Sequence, residues 1–332
     1  MISLVSLLQT ILVLATLNLN LTFAAPIAQD STSAFADLED RDVSYMQSRL
    51  FPLGGYPSKS AWTTSTALSD RFNLQAGIPI NKGGKPPQGH APDGKGAIVS
   101  FFPQGSINPG NKQAPKGGMS WYTSGPHWGS TFTKGTGSWE DDLTRAKEIT
   151  FGYSVMFENG FQFNKGGKLP GVYGGVSEEE AVGCSGGRQE GRDGCFSSRL
   201  MWRTDGAGET YNYLPTSAHQ PESYCQTAPE SHCNPDYGDS IGRGSFYFTP
   251  GQWVTVAQHI KLNDIGSSNG AIEIFVDGVS KLNVQGIELR TRGDSVFRGI
   301  QAQTFFGGHS TDWASPKDQT AWFKDWSLAI IN

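Results

Sequence analysis

Lysine, arginine and tyrosine side chains gather in the middle of this 332-residue sequence at the spacing of neighbours on one sheet surface. Lys168 lies in the run Gly-Lys-Leu-Pro-Gly-Val-Tyr-Gly-Gly at 167–175. Phe-Ser-Ser-Arg-Leu-Met-Trp-Arg follows at 196–203 and Glu-Thr-Tyr-Asn-Tyr at 209–213. Successive side chains of a strand point to opposite faces. Read as strands, these segments put Ser197 with Arg199 on one face, and Tyr211 with Tyr213 on one face about 7 Å apart by strand rise. Leu200 and Trp202 fall on the other face, where a core belongs. Arg and Tyr at alternate positions also occur as the plain solvated side of a half-exposed sheet. What favours chemistry is that the set is complete for one reaction.

That reaction is elimination from a uronic acid. The proton to be removed is α to a carboxylate, so the developing negative charge must be neutralised before a base can act. Arg and Lys do this by charge and hydrogen bonding. A base takes the C5 proton and an acid protonates the departing O4; a tyrosine serves if nearby cations lower its pKa from about 10. Lys168, Arg199, Tyr211 and Tyr213 supply these parts, with the base left open between Lys168 and either phenol. Other sets fit less well. A retaining glycosidase needs two carboxylates about 5–5.5 Å apart, but Glu273 stands alone on its segment and Glu178, Glu179 and Glu180 read as a solvated loop. Gly-Cys-Ser-Gly-Gly at 183–187 matches a Gly-x-Ser-x-Gly elbow around Ser185, yet it sits in a polar loop with no helix after it. His127, His259 and His309 are each solitary, and no metal or other cofactor is expected.

The elements that must position these residues are strands. Segments 98–102, 148–157, 251–262 and 321–328 alternate or run apolar, and 271–276 turns at Asp277-Gly278 into 279–282, a hairpin with a strong two-residue turn. Helical periodicity is confined to 139–147. Residues 56–96 are rich in Gly, Pro and Lys and read as long loops around a short element at 68–74. Strands with Gly-rich turns and no βαβ alternation predict an all-β sandwich. One domain over 51–332 is expected.

Residues 1–24 form an apolar stretch ending in small residues, the pattern of a signal peptide, and Asn18 and Asn20 interrupt it before spanning length. Residues 25–50 are polar and acidic and read as a lead-in or propeptide. The expectation is a secreted, extracellular protein, a monomer with no membrane association once the leader is cut. The four cysteines fit that: local pairs Cys184–Cys195 and Cys225–Cys233 would tie off loops flanking the 197–213 strands, and their spacing matches no familiar zinc motif. A net charge of −5 argues against nucleic acid and means that an acidic substrate must be held by a local basic patch. Forty-two glycines and nine tryptophans suit a secreted β protein that handles carbohydrate.

The Lys-Leu-Pro-Gly-x-Tyr-Gly-Gly run, the Ser-x-Arg-Leu-Met-Trp-Arg segment, the following Tyr-x-Tyr and the terminal Trp313-Ala314, Asp318-Gln319 and Phe323-Lys324-Asp325 together resemble polysaccharide lyase family 14. The resemblance covers about 147–332. It implies a β-jelly roll of two antiparallel sheets with long loops, which cleaves a β-1,4-linked polyuronate, glucuronan or alginate, by β-elimination. It implies that Lys168 is the essential lysine, that Arg199, Tyr211 and Tyr213 act at the reaction centre, and that Ser197 contacts substrate. Arg203, Tyr173 and Lys261 are the further expected contacts to the acidic polysaccharide. The segment 177–193, with Cys184, departs from the family pattern. A lectin-like protein that binds carbohydrate without cleaving it is the alternative on the same fold.

Overall fold

A computed structural model describes residues 43–53, 61–68, 78–126, 138–184, 186–308 and 310–332. The expected leader, most of the lead-in, His127, Ser185 and His309 lie outside the described residues. The alternating segments become strands: β1 (Ala61–Thr63), β2 (Lys82–Gly83), β3 (Gln88–His90), β4 (Gly96–Phe102) and β5 (Met119–Thr123) come first. The middle carries β6 (Glu148–Phe157), β7 (Gly166–Gly175), β8 (Cys195–Arg203), β9 (Ala207–Tyr213) and β10 (Asp239–Tyr247). Then follow β11 (Trp253–Lys261), β12 (Gly270–Val276), β13 (Val279–Ile287), β14 (Val296–Phe306) and β15 (Gln319–Ile330).

They form two antiparallel sheets, one ordered β13-β12-β11-β6-β15-β4-β3 with β1 beside β15, the other β10-β9-β8-β7-β14-β5-β2. The inner faces share one core that includes Trp62, Trp121, Trp202 and Trp326, all essentially unexposed. This is the all-β jelly-roll sandwich expected. The β12–β13 hairpin turns where predicted, with Val276 opposite Val279 and both Asp277 and Gly278 at positive φ. Helix α1 (residues 43–50) carries Val43, Met46 and Leu50 at helical spacing, and these pack with Phe51, Ala61, Leu68 and Ala329. The end of the expected lead-in is thus folded onto the sandwich, within the compact unit of residues 41–332. Helix α2 (Trp139–Arg145) opens on a capping box between Ser138 and Asp141.

The Gly/Pro run around Lys168 is a central strand, β7, buried along its whole length. Its composition hides this, because Gly and Pro are depleted in strands. Tertiary packing supplies the reason: a Cβ on Gly167 would stand 2.1 Å from the Trp202 ring, so only glycine admits that indole.

Candidate active site

Pairing register sets a row of side chains across the outer face of the second sheet. Tyr122 of β5 is opposite Gln301 of β14, Gln301 opposite Gly171 of β7, Gly171 opposite Arg199 of β8, and Arg199 opposite Tyr211 of β9. One step along the strands lie Lys168, Met201 and Glu209, again register partners. One step the other way lie Tyr173, Ser197 and Tyr213.

Lys168 reaches this face only through a bulge. Between Lys168 and Gly171, β7 uses three steps where β8 uses two, from Met201 to Arg199. Pro170, which has no N–H for a ladder, sits inside the irregularity. The extra residue lets Leu169 and Val172, three apart, both face the core while Lys168 turns outward. Strict alternation from Tyr173 and Gly171 would have sent Lys168 into the core.

The cations crowd the two phenols. Lys168 Nζ stands 3.1 Å from the Tyr211 ring centroid and 2.6 Å from Met201 Sδ. The Tyr211 and Tyr213 rings meet edge to face with centroids 5.5 Å apart. Arg199, 1% exposed, donates from Nη1 to Gln303 Oε1 at 3.2 Å and leaves Nε without a partner. Among the described residues no carboxylate pairs with it. Gln303 is itself aligned by Gln301 (2.8 Å) and by Ser120 (2.8 Å). Arg203 is held instead by the buried Glu209 carboxylate (2.6 Å), which also takes Arg243 (3.0 Å) and the Ser240 hydroxyl (2.6 Å).

Burial pushes the Lys168 amine well below its ordinary range, and the positive charges of Arg199 and Arg203 push the same way against Glu209. Tyr211 moves opposite to expectation. Burial and the neighbouring Tyr213 raise its pKa, and Arg203 with the Gly238 N–H only partly offsets them. Tyr211 is therefore not a phenol lowered by cations: desolvation of its phenolate outweighs the charges beside it.

Of the other expected contacts, Ser197 and Tyr173 lie in the row and Lys261 does not. Ser197 is fully buried and donates its hydroxyl to the Cys184 carbonyl at 3.0 Å. Tyr173 is fully buried too; its hydroxyl donates to Glu178 Oε1 at 2.7 Å and its ring meets Tyr122 at 5.1 Å. Glu178 belongs to a short helix (Glu178–Val182) rather than a solvated loop. Lys261 is not brought to the site: it is exposed at the end of β11 in the other sheet, opposite Glu148 and Ala271. The expected disulfides Cys184–Cys195 and Cys225–Cys233 both form. The first packs beneath Tyr213, so the departing segment 177–193 braces one phenol of the pair.

Met201, Glu209, Gln301 and Gln303 are site residues the sequence reading passed over. Met201 and Glu209 continue the alternation of Arg199 and Tyr211 by one step, a signal that was present. Gln301-x-Gln303 alternates as well, in a segment not recognised as a strand.

The polysaccharide lyase 14 family model matches residues 91–326. The crystal structure of the marine PL-14 alginate lyase from Aplysia kurodai superposes with a TM-score of 0.60 at 28% identity, covering 73% of this chain and 86% of that one. Alginate lyase vAL-1 from Chlorella virus superposes with a TM-score of 0.60 at 20% identity, covering 77% and 93%. No curated protein sequence matches.

Proposed function

The chain belongs to the polysaccharide lyase 14 family, and from that premise we propose that it is a secreted lyase that cleaves a β-1,4-linked polyuronate by β-elimination, with Arg199 holding the carboxylate and Lys168 as base. One observation carries this reading: a buried guanidinium without a carboxylate partner among the described residues lies on the strand next to a lysine whose pKa burial pushes well below its ordinary range. A buried unpaired charge is costly, and a substrate carboxylate is the counter-charge that removes the cost. A neutral amine, unlike an ammonium, can accept a proton.

The steps balance. The uronate carboxylate pairs with Arg199, which stabilises the charge that spreads onto it. Lys168 takes the C5 proton and becomes an ammonium. The C5 electron pair forms the C4–C5 double bond, and the C4–O4 bond breaks with its pair on O4. Tyr211, held protonated by its raised pKa, gives O4 its proton. The cycle closes when the Lys168 ammonium gives its proton to solvent and the Tyr211 phenolate takes one from solvent; Lys168 Nζ itself lies over the Tyr211 ring face, 3.1 Å from its centroid. Tyr213, edge-on to Tyr211, orients the sugar ring. The lectin-like alternative lapses with the family assignment. Two disulfides agree with an oxidising destination.

The test is purified protein offered glucuronan, polymannuronate, polyguluronate and pectate, following ultraviolet absorbance of unsaturated uronate ends. A β-1,4-linked polyuronate should give that absorbance. Cleavage with no unsaturated ends, or no cleavage of any of the four, would sink the reading.

A further inference from the structure

Arg203, at the end of β8, stands between two aromatic rings. Its guanidinium carbon is 5.7 Å from the Tyr211 centroid and 5.9 Å from that of Trp313. Lys165 Nζ lies 6.0 Å from the same indole. Tyr213, Tyr211, Arg203, Trp313 and Lys165 therefore make one continuous track of rings and cations that runs on past the reaction centre. We propose that Trp313, Lys165 and Arg203 form a binding subsite for the uronate unit next to the one that reacts; this rests on the polyuronate reading above.

The indole is a built feature of the surface. It ends a 3-10 turn, Thr311–Trp313, whose backbone is pinned by Asn164 Nδ2 donating to the carbonyls of Asp312 (3.0 Å) and Ala314 (2.8 Å). Gly308, at positive φ, lies against the ring so closely that a Cβ there would come within 2.3 Å of it. The ring stays half-buried rather than sealed in the core. An indole offers an apolar surface to the C–H side of a sugar, and flanking cations serve its carboxylate. Lys165 pairs with Asp312, both about half exposed at 49% and 52%. Such an exposed surface pair contributes little to stability, so Lys165 can exchange Asp312 for a uronate carboxylate at small cost. Beside Lys165 opens a concavity of ≈ 520 Å³, with Gln162, Asn164, Thr204 and the acidic Asp205 also on its wall; Trp313 and Arg203 stand outside it, so it adjoins the subsite through Lys165 alone. Its volume is within the usual range of about 300–1,000 Å³ for a ligand site.

Binding is measured by calorimetry in the catalytically silent Lys168→Ala background, with saturated oligouronates of increasing length. Affinity should rise about tenfold at the length that first reaches Trp313, a gain of about 1.4 kcal/mol. Adding Trp313→Ala should abolish that rise. Lys165→Met, at an exposed position that leaves folding untouched, should shrink it and weaken its salt dependence, with Arg203 supplying what remains. A rise that survives both substitutions, while the wild type still releases unsaturated ends, overturns the subsite and leaves the lyase reading standing. Absence of any oligouronate binding, together with no unsaturated ends from the wild type, overturns both.

Discussion

A lysine whose pKa is depressed by burial is a stability cost as well as a base, and the two consequences are separable. In the unfolded chain Lys168 titrates near 10.4, whereas its folded pKa is pushed well below that by burial and by Arg199 and Arg203. Between those two values the unfolded state binds the extra proton, so stability rises with pH across that window. Lys168→Met removes the amine and keeps an apolar chain. Turnover should fall on the order of a hundredfold or more. The variant should unfold at higher denaturant than wild type at neutral pH, and that gap should close as pH approaches 10. A gap that does not change with pH would mean that Lys168 is charged in the folded state. The same depressed pKa sets the acid limb of the rate profile, which should rise as Lys168 loses its proton. Because burial and Tyr213 raise Tyr211, the alkaline limb should lie above the ordinary phenol range. Tyr211→Phe should lower kcat with little change in KM if Tyr211 is the acid. The same loss in Tyr213→Phe, with Tyr211→Phe unaffected, would reverse the two roles.

At the scale of the element, the bulge in β7 decides whether there is a site at all. Lys168 and Gly171 share the outer face because three steps of β7 span two of β8. Inserting an alanine between Pro170 and Gly171 moves Lys168 one residue along β8, from opposite Met201 to opposite Trp202, and turns it toward the core. Activity should then fall as far as in Lys168→Met, with lost stability in place of the gain, since an amine enters the apolar core. Pro170→Ala keeps the residue count, so it should keep most of the activity. An insertion variant that retains wild-type turnover would show that something other than register aims the lysine.

At the scale of the whole molecule, the sheets are joined by a buried polar chain as well as by apolar packing. Gln258 of β11 donates to the Ser198 hydroxyl at 2.6 Å, Ser198 to Asn212 at 2.7 Å, and Asn212 to the Tyr224 hydroxyl at 3.1 Å. Ser198 lies between Ser197 and Arg199, and Asn212 between Tyr211 and Tyr213, so this chain ties the strands of the site to the opposite sheet. Gln258 Oε1 already has no partner. Ser198→Ala would leave its amide nitrogen unpaired as well and should cost about 1–3 kcal/mol. Urea unfolding measures this. An unchanged midpoint would mean that apolar packing alone sets how the sheets meet.

The sequence by itself determined the all-β class, the faces of β8 and β9, and both disulfides. These depend on local quantities: the two-residue period of Arg199, Tyr211 and Tyr213, the core side of Leu200 and Trp202, and two short cysteine loops in one stretch. Lys168 was legible as a residue type but not as a position, because a bulge shows only in pairing with a strand some thirty residues away. Lys261 looked like an equal candidate until the sheet order put it on the other layer. Glu209 gave no sign that it would be fully buried between Arg203 and Arg243. The direction of the Tyr211 shift was misjudged for the same reason. Neighbouring charges can be counted along a chain, but desolvation depends on what the whole fold lays over a group, and in this site desolvation is the larger effect.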